Sequence, residues 1–387
     1  MRALLLISAA LFALPAVEIH AQEPQTRAEA LAREREEKSK QLEPPQAGRL
    51  ERALLTLENR RFFERILNPA EGFYPKIGNI TPGSGFAGGP GYRSPRILGG
   101  EAQFSTFGQV SIQKYWMLDA RLTMPDLAGG RLFADVHGRR YDYPEEDFFG
   151  LGPRSLREAH TTYALRSTDV GGTAGVRVAP WLSFGSGLEL MTPRVAGLPD
   201  QPNFVRSEVS AEVNTREPRG NPRQGARYAL AFQHFEALED APRDFQRLEA
   251  DVQQYISIYK NRRVLALHAF ASVSDPTDER DVPFYYQKTL GGPDDLRGFR
   301  QFRFRDRHMI LLQAEYRWEI FTAMDGAIFY DAGKVASRIE DLNFADLESD
   351  YGIGFRFGTS NGVFLRVEGA FGSSGGAHFI LRYGHVF

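Results

Sequence analysis

Arg297 is the residue with the clearest chemical potential, because it is the arginine of a glycine-rich loop that runs from Leu290 to Phe299. Arginine stays charged and presents a planar fork of N–H donors, so it can bridge two carboxylates with directional hydrogen bonds. The glycines around it permit tight turns and a close approach of the backbone to a neighbouring wall. The pattern favours an ion pair that anchors the loop, with a purely local pair to Asp294 or Asp295 as the alternative.

Nucleophilic, metal and cofactor chemistry find no support in the sequence. The eight histidines are scattered without a paired motif, and no GxSxG, HExxH, Walker A or Rossmann fingerprint lies in a strand-turn-helix context. The chain has no cysteine, which excludes disulfides and thiolate metal sites. We therefore expect a protein that is not an enzyme and that uses neither a metal nor a cofactor.

The composition excludes one class of partner and leaves two fold classes open. A formal net charge of −2 provides no basic field, so we expect no nucleic acid. The hydrophobic content of 42% is ordinary for a soluble protein, but a transmembrane barrel has the same average because half of each strand faces a polar lumen. An aromatic content of 12% favours the barrel, since lipid-facing girdles use aromatic rings.

The segments that would position the loop are strands in which apolar and charged residues alternate. The pattern recurs in Met309–Trp318, Val205–Asn214, Leu248–Ile258 and Val363–Phe371. Charges on one face of many strands suit a hydrated lumen better than a dry core. Residues 78–387 accommodate about sixteen strands. The sequence thus predicts an all-β fold, an antiparallel transmembrane β-barrel of about 16 strands.

Strand starts and connection lengths predict the topology. The first strand is expected near Asn79, and separate strands are expected near His160 and near Gly171. Short links, such as Lys260-Asn261, alternate with long ones, and bacterial barrels place short turns in the periplasm and long loops outside. With both termini in the periplasm, the long link from Ser274 to Arg300 is the sixth outer loop.

The N-terminal region lacks the alternating strand pattern and differs in composition from the rest of the chain. Arg2 and an apolar run ending at Val17 predict a signal peptide over residues 1–21. Residues 22–77 are charged and helix-prone, and we expect a short helical, partly disordered periplasmic segment before a barrel that spans residues 78–387. Within it, Arg49–Leu67 is amphipathic. That helix needs a partner, either the periplasmic end of the barrel as a plug or the membrane surface.

The loop motif Leu296-Arg297-Gly298-Phe299 resembles the (V/L)RG(F/Y) signature of the BamA/TamA superfamily, the bacterial surface antigen family. The resemblance implies that the sixth outer loop folds back into the lumen, where its arginine meets carboxylates on inward strand positions. The matching positions here are Glu315 and Asp331, and the segment around Asp331 resembles the family's FxDxG motif. Alternation by itself also places both acids on the lumen face.

Two further motifs resemble the same family. Residues Phe148, Phe149, Gly150, Leu151 and Gly152 resemble its FFGLG turn, which we expect at the periplasmic end between the fourth and fifth strands. At the C-terminus, alternate residues resemble the terminal signal read by the barrel-insertion machinery, with His385 as a departure; they are Phe379, Leu381, Tyr383 and Phe387.

The resemblance implies a protein of the bacterial outer membrane that assists insertion or translocation of proteins or lipids. The segment before the barrel is too short for the POTRA modules of assembly members, so we expect the short class that lacks them. A passive or gated diffusion pore is the alternative. The expected partners are the lipid bilayer, lipopolysaccharide, the barrel-insertion machinery during biogenesis, and a protein or lipid substrate.

Deleting Phe387 is expected to impair outer-membrane assembly far more than Val367→Leu. The terminal aromatic residue would be read by the insertion machinery, whereas a lipid-facing position accepts one apolar side chain for another. The measurement is the amount of folded, heat-modifiable protein in outer-membrane fractions. Equal yields of the two variants would remove the C-terminal argument for a barrel.

Overall fold

The computed structural model describes residues 71–382, apart from positions 82, 200, 239–242, 278–280, 322 and 360–361. The predicted signal peptide, the predicted helical segment up to residue 70, and the C-terminal residues Tyr383 and Phe387 lie outside the described residues. No helix among the described residues is long and apolar enough to cross a membrane.

Sixteen antiparallel strands form one nearly closed barrel, which confirms the predicted fold. In chain order they are β1 (Gly72–Gly78), β2 (Ala87–Ile97), β3 (Ala102–Ser111), β4 (Trp116–Leu127), β5 (Leu132–Phe148), β6 (Thr161–Ala179), β7 (Leu182–Met191), β8 (Phe204–Asn214), β9 (Gly225–Ala237), β10 (Phe245–Tyr259), β11 (Arg263–Pro276), β12 (His308–Phe321), β13 (Met324–Ala336), β14 (Glu348–Thr359), β15 (Gly362–Gly372) and β16 (Gly376–Arg382). Each strand pairs with the next along the chain.

Alternation along these strands separates an apolar outer face from a charged lumen face. On β8, Val209 is exposed on the outside. Glu212, three residues further along and on the inward face, accepts a hydrogen bond of 2.9 Å from Arg227 of β9. Arg227 also lies 3.2 Å from Asp251 of β10. The lumen wall therefore holds its charges in pairs that run from strand to strand, as the alternating pattern predicts.

The prediction and the structure agree on the number of strands in the barrel but differ at two of them. The first strand starts at Gly72 rather than near Asn79, inside the segment predicted to be helical. The prolines of its hairpin read as breakers in sequence, yet Pro75 and Pro90 lie opposite each other in register. Conversely, β6 is one strand of 19 residues. Its Gly171 resembles a turn signal but pairs with Glu189 inside the sheet.

These differences correct the prediction for Phe148–Gly152. The segment follows β5 and leads into β6, so it lies between the fifth and sixth strands, not between the fourth and fifth. Its Gly152 amide donates to the carbonyl of Arg305, 2.9 Å away, in the long connection between β11 and β12. It is therefore at the long-loop end of the barrel and not at the end of the short turns. Because each strand reverses the direction of the chain, overlooking β1 moves the predicted position of this segment to the opposite end of the barrel.

Gly91→Val is expected to release β1 from the barrel. A β-carbon at this position would lie 2.5 Å from the ring of Tyr74, which β1 directs inward. Displacing that ring should raise amide hydrogen exchange over residues 72–78 at least about tenfold, the effect of about 1.4 kcal/mol. Gly88→Val is the matched control, since a β-carbon there meets no atom within 4 Å. Equal exchange in the two variants would contradict the assignment of β1.

Candidate functional site

The connection between β11 and β12 turns back into the lumen and packs there through apolar side chains. Leu296 and Phe299, the first and last residues of the arginine motif, are both buried. They belong to one apolar cluster that joins the loop to the wall; its members are Leu290, Leu296, Phe299 and Phe304 from the loop with Met309, Leu311 and Val335 from β12 and β13. Removing this surface from water favours the inward course of the loop.

Arg297 lies at the tip of the inward loop, with 1% of its surface exposed. Its Nε and Nη2 donate to the two carboxylate oxygens of Asp331 at 2.6 and 2.7 Å. Its Nη1 donates to Glu315 at 2.7 Å and to Glu368 at 3.2 Å. The guanidinium also stacks 3.4 Å from the ring centre of Phe329. One planar fork thus holds carboxylates from three strands, the geometry for which arginine is suited.

The charge of Arg297 is favoured by its neighbours. Burial alone would lower the pKa of its guanidinium, but the charges of Asp331 and Glu315 outweigh burial and raise that pKa well above its usual value. Asp294 does not pair with Arg297 in the structure and lies instead 2.8 Å from Arg366 and 2.7 Å from Arg382. The local ion pair that the sequence left open is therefore replaced by pairs across the lumen.

Three more arginines surround the same acids from the side of the short turns. Arg317 donates to Glu315 at 2.8 Å, and Arg366 donates to Glu368 at 3.1 Å. Arg356 bonds to both of these glutamates and lies 3.1 Å from Glu368. Positive and negative groups alternate through this buried cluster, so no single charge is left without a nearby counter-charge.

The backbone beside Arg297 is held as closely as the side chain. The amide of Gly298 donates to the Asp350 carboxylate at 2.9 Å. A β-carbon at Gly298 would lie 2.4 Å from the backbone nitrogen of Gly372, and one at Gly375 would lie 2.0 Å from the Gly298 carbonyl. Only glycine at these positions allows the loop to lie directly against the β15–β16 hairpin.

The outer part of the loop has its own contacts with the wall. Arg247 of β10 bonds to the carbonyl of Tyr286, and Arg305 donates to the Tyr163 hydroxyl of β6 at 3.1 Å. Arg303 donates to the carbonyl of Ser155 at 2.6 Å and lies over the ring of Phe149. The Phe148–Gly152 segment and the residues after it thus hold the returning arm of the loop, on the opposite side of the lumen from the acids.

The structure brings together most, but not all, of the predicted site residues. Arg297, Glu315 and Asp331 form one cluster, with Leu296 and Phe299 packed beside it. Phe379 and Leu381 are exposed on the outer face of β16 and take no part in it.

Sequence reasoning missed several members of the cluster, namely Glu368, Asp350, Arg317, Arg356, Arg366 and the ring of Phe329. Alternation already placed Glu368 and Arg366 on the lumen face. Which strands meet the loop depends on strand pairing, which alternation does not give. Among the residues described, no group of three or more His, Asp or Glu is arranged to hold a metal ion.

Comparisons with known proteins agree with this geometry. The Omp85 superfamily domain matches residues 180–374, which is just over half of the chain. No curated protein matches. Among solved structures, BamA from Haemophilus ducreyi lacking POTRA domains 1–3 shares 16% identity and a TM-score of 0.62, covering 81% of this chain and 69% of that one.

Two further structures share the fold at lower similarity. CdiB from Acinetobacter baumannii has 10% identity and a TM-score of 0.53, and CdiB from Escherichia coli has 14% and 0.53. Each alignment covers 81% of this chain but only 59% and 61% of the respective CdiB, less than two thirds of its length. The domain match includes the inward loop and all four acids that surround its tip, in agreement with the resemblance that Leu296–Phe299 indicated. The chain belongs to the Omp85 superfamily, and its barrel lies in the bacterial outer membrane.

Proposed function

We propose that this barrel assists the insertion or translocation of proteins or lipids at the outer membrane, and that the loop held by Arg297 keeps its lumen closed at rest. The observation that carries the proposal is the complete burial of Arg297 among Asp331, Glu315 and Glu368. A diffusion pore needs a continuous hydrated path, and a loop that this cluster holds inside the lumen would narrow that path. A barrel that acts only when a substrate is bound needs a lumen that stays closed in the absence of substrate.

A second segment contacts the lumen wall at the end of the short turns. The connection between β8 and β9, residues 215–224, reaches strands up to four places beyond β9. Arg216 donates to Gln253 of β10 at 2.9 Å, and Arg223 bonds to both carboxylate oxygens of Asp325 on β13, the shorter distance being 2.7 Å. Because Arg223 has little exposure and Asp325 almost none, their attraction is less screened by water than that of a surface pair. The pair favours a connection that is held against the lumen wall at the end of the short turns.

Two measurements on one preparation separate the proposal from its alternative. Reconstituted protein is tested for conductance in planar bilayers and for its effect on folding of a second outer-membrane protein into liposomes. The proposal expects low resting conductance together with faster folding of the second protein. Steady conductance without any effect on folding would favour the diffusion pore.

Arg297→Ala is expected to free the loop. The change leaves the carboxylate of Asp331 without its main partner in a buried setting, which costs about 3–5 kcal/mol, while Glu315 keeps Arg317 and Arg356. Protease cleavage between residues 290 and 304 should then increase on intact cells, and single-channel conductance should rise.

The matched control is Arg300→Ala, which removes an exposed arginine three positions away in the same loop. It should leave loop protection and conductance unchanged. Arg297→Lys should restore only part of the protection, because an ammonium group cannot reproduce the paired hydrogen bonds to Asp331. If Arg297→Ala matches the wild type in both cleavage and conductance, the loop is not held by this residue.

A further inference from the structure

The outer face of β1 to β6 contains a groove of about 510 Å³. Its floor consists of the small residues Gly108, Ala120 and Gly138, and its sides are formed by Tyr92, Leu118 and Val170. Leu118 and Val170 are 54% and 52% exposed, which fixes them on the lipid side of the wall. The outside of a barrel is convex, so a groove there exists only because several neighbouring positions have almost no side chain.

Arginines adjoin the groove where it approaches the long-loop end. Register places Arg140 directly beside Leu118 on one side and Thr168 on the other, all on the outer face. Two positions further along β5, Asp142 is opposite Arg166, which in turn is opposite Arg194. Three guanidinium groups thus share the outer face of adjoining segments with one carboxylate.

These three arginines differ in the hydrogen-bond and ion-pair partners that they have within the chain. Arg166 lies 2.8 Å from Asp142, and Arg194 donates to the Asn203 side chain at 3.0 Å. Arg140 is exposed and makes no hydrogen bond or ion pair with any described residue. A charged side chain on the lipid face is unfavourable unless it reaches the interface or meets an anion there.

The position of Arg140 along β5 agrees with the interface of the outer leaflet. The outward residues before it are Leu132, Ala134, Val136 and Gly138, all without charge. Arg140 is eight residues beyond Leu132 (140 − 132), which corresponds to about 20 Å of height in a tilted strand. The apolar band of such barrels is about 25 Å tall. Since short turns are periplasmic and long loops are external, Arg140 lies near the outer edge of that band, and its long side chain can extend to the phosphate groups.

We propose that this surface binds a phosphorylated glycolipid of the outer leaflet. A phosphate group accepts hydrogen bonds from Arg140 and Arg166, and one acyl chain lies in the groove between Leu118 and Val170. Charge complementarity selects the ligand, because the exposed guanidinium of Arg140 lacks a partner within the described chain and adjoins an apolar groove of chain width. The site is on the outside of the wall, so it is independent of the loop in the lumen.

Native mass spectrometry of the purified full chain in detergent tests the site. The probes are bis-phosphorylated lipid A and the same lipid with both phosphates removed. Wild-type protein should retain the phosphorylated lipid at least about tenfold more tightly. Arg140→Gln should abolish this preference, whereas Arg140→Lys should keep part of it. Gly138→Leu should weaken both lipids by filling the groove, and it is structurally mild because a β-carbon there approaches only Val170, at 4.0 Å.

Arg338→Gln is the control, since it removes an exposed arginine in a loop at the same end of the barrel. Heat-modifiable migration identifies any variant that has not folded, and only folded variants are compared. The proposal is overturned if wild-type protein binds the two lipids equally. It is also overturned if Arg140→Gln and Arg338→Gln retain the same preference for the phosphorylated form.

Discussion

The buried ion cluster around Arg297 is the interaction on which the arrangement of the lumen depends. Taking a guanidinium and several carboxylates out of water is unfavourable, and only mutual pairing offsets that loss. Asp331, Glu315 and Glu368 come from three different strands, so their side chains meet one arginine only when the register of those strands is correct. The cluster therefore couples the course of the loop to the pairing of the wall.

The contacts around the cluster are adapted to that constraint. Gly298 and Gly375 let two backbones approach so closely that any side chain would collide. Leu296 and Phe299 on either side of the arginine provide apolar contact, which helps to offset the conformational entropy lost when a long loop is ordered. The outer arm of the loop is held separately by Arg303 and Arg305. A loop that is fixed at both its tip and its arm is suited to closing a lumen.

The sequence predicts which face of a strand each side chain occupies better than it predicts how many strands precede a given residue. Alternation identified the lumen faces of β12 and β15, because a one-residue shift would bury apolar residues and expose charges to lipid. The short loop motif and the family resemblance identified Arg297 and two of its acids, Glu315 and Asp331. They could not identify the partners that arrive from other strands, such as Glu368 and Asp350. Pairing between strands depends on the closed barrel and leaves no local signal.

The number of preceding strands explains why the sequence predicts Phe148–Gly152 at the wrong end of the barrel. In a meander, each strand reverses the chain, so one overlooked strand moves every later feature to the opposite end until a second error compensates. The overlooked β1 and the division of β6 into two strands are such a pair. Between them lies Phe148–Gly152, which the sequence therefore predicts at the periplasmic turns. Beyond β6 the two errors cancel, and the loop that carries Arg297 is correctly the sixth outer loop.

The central claim is that the loop motif is locked inside the lumen of the resting protein. The most direct measurement is amide hydrogen exchange of the wild-type protein in lipid nanodiscs, compared between Leu296–Phe299 and the outer connection of residues 337–347. The amide of Gly298 donates to a buried carboxylate, so the account predicts exchange in the motif at least about a hundredfold slower than in that connection. Exchange at the same rate in the two segments would contradict it.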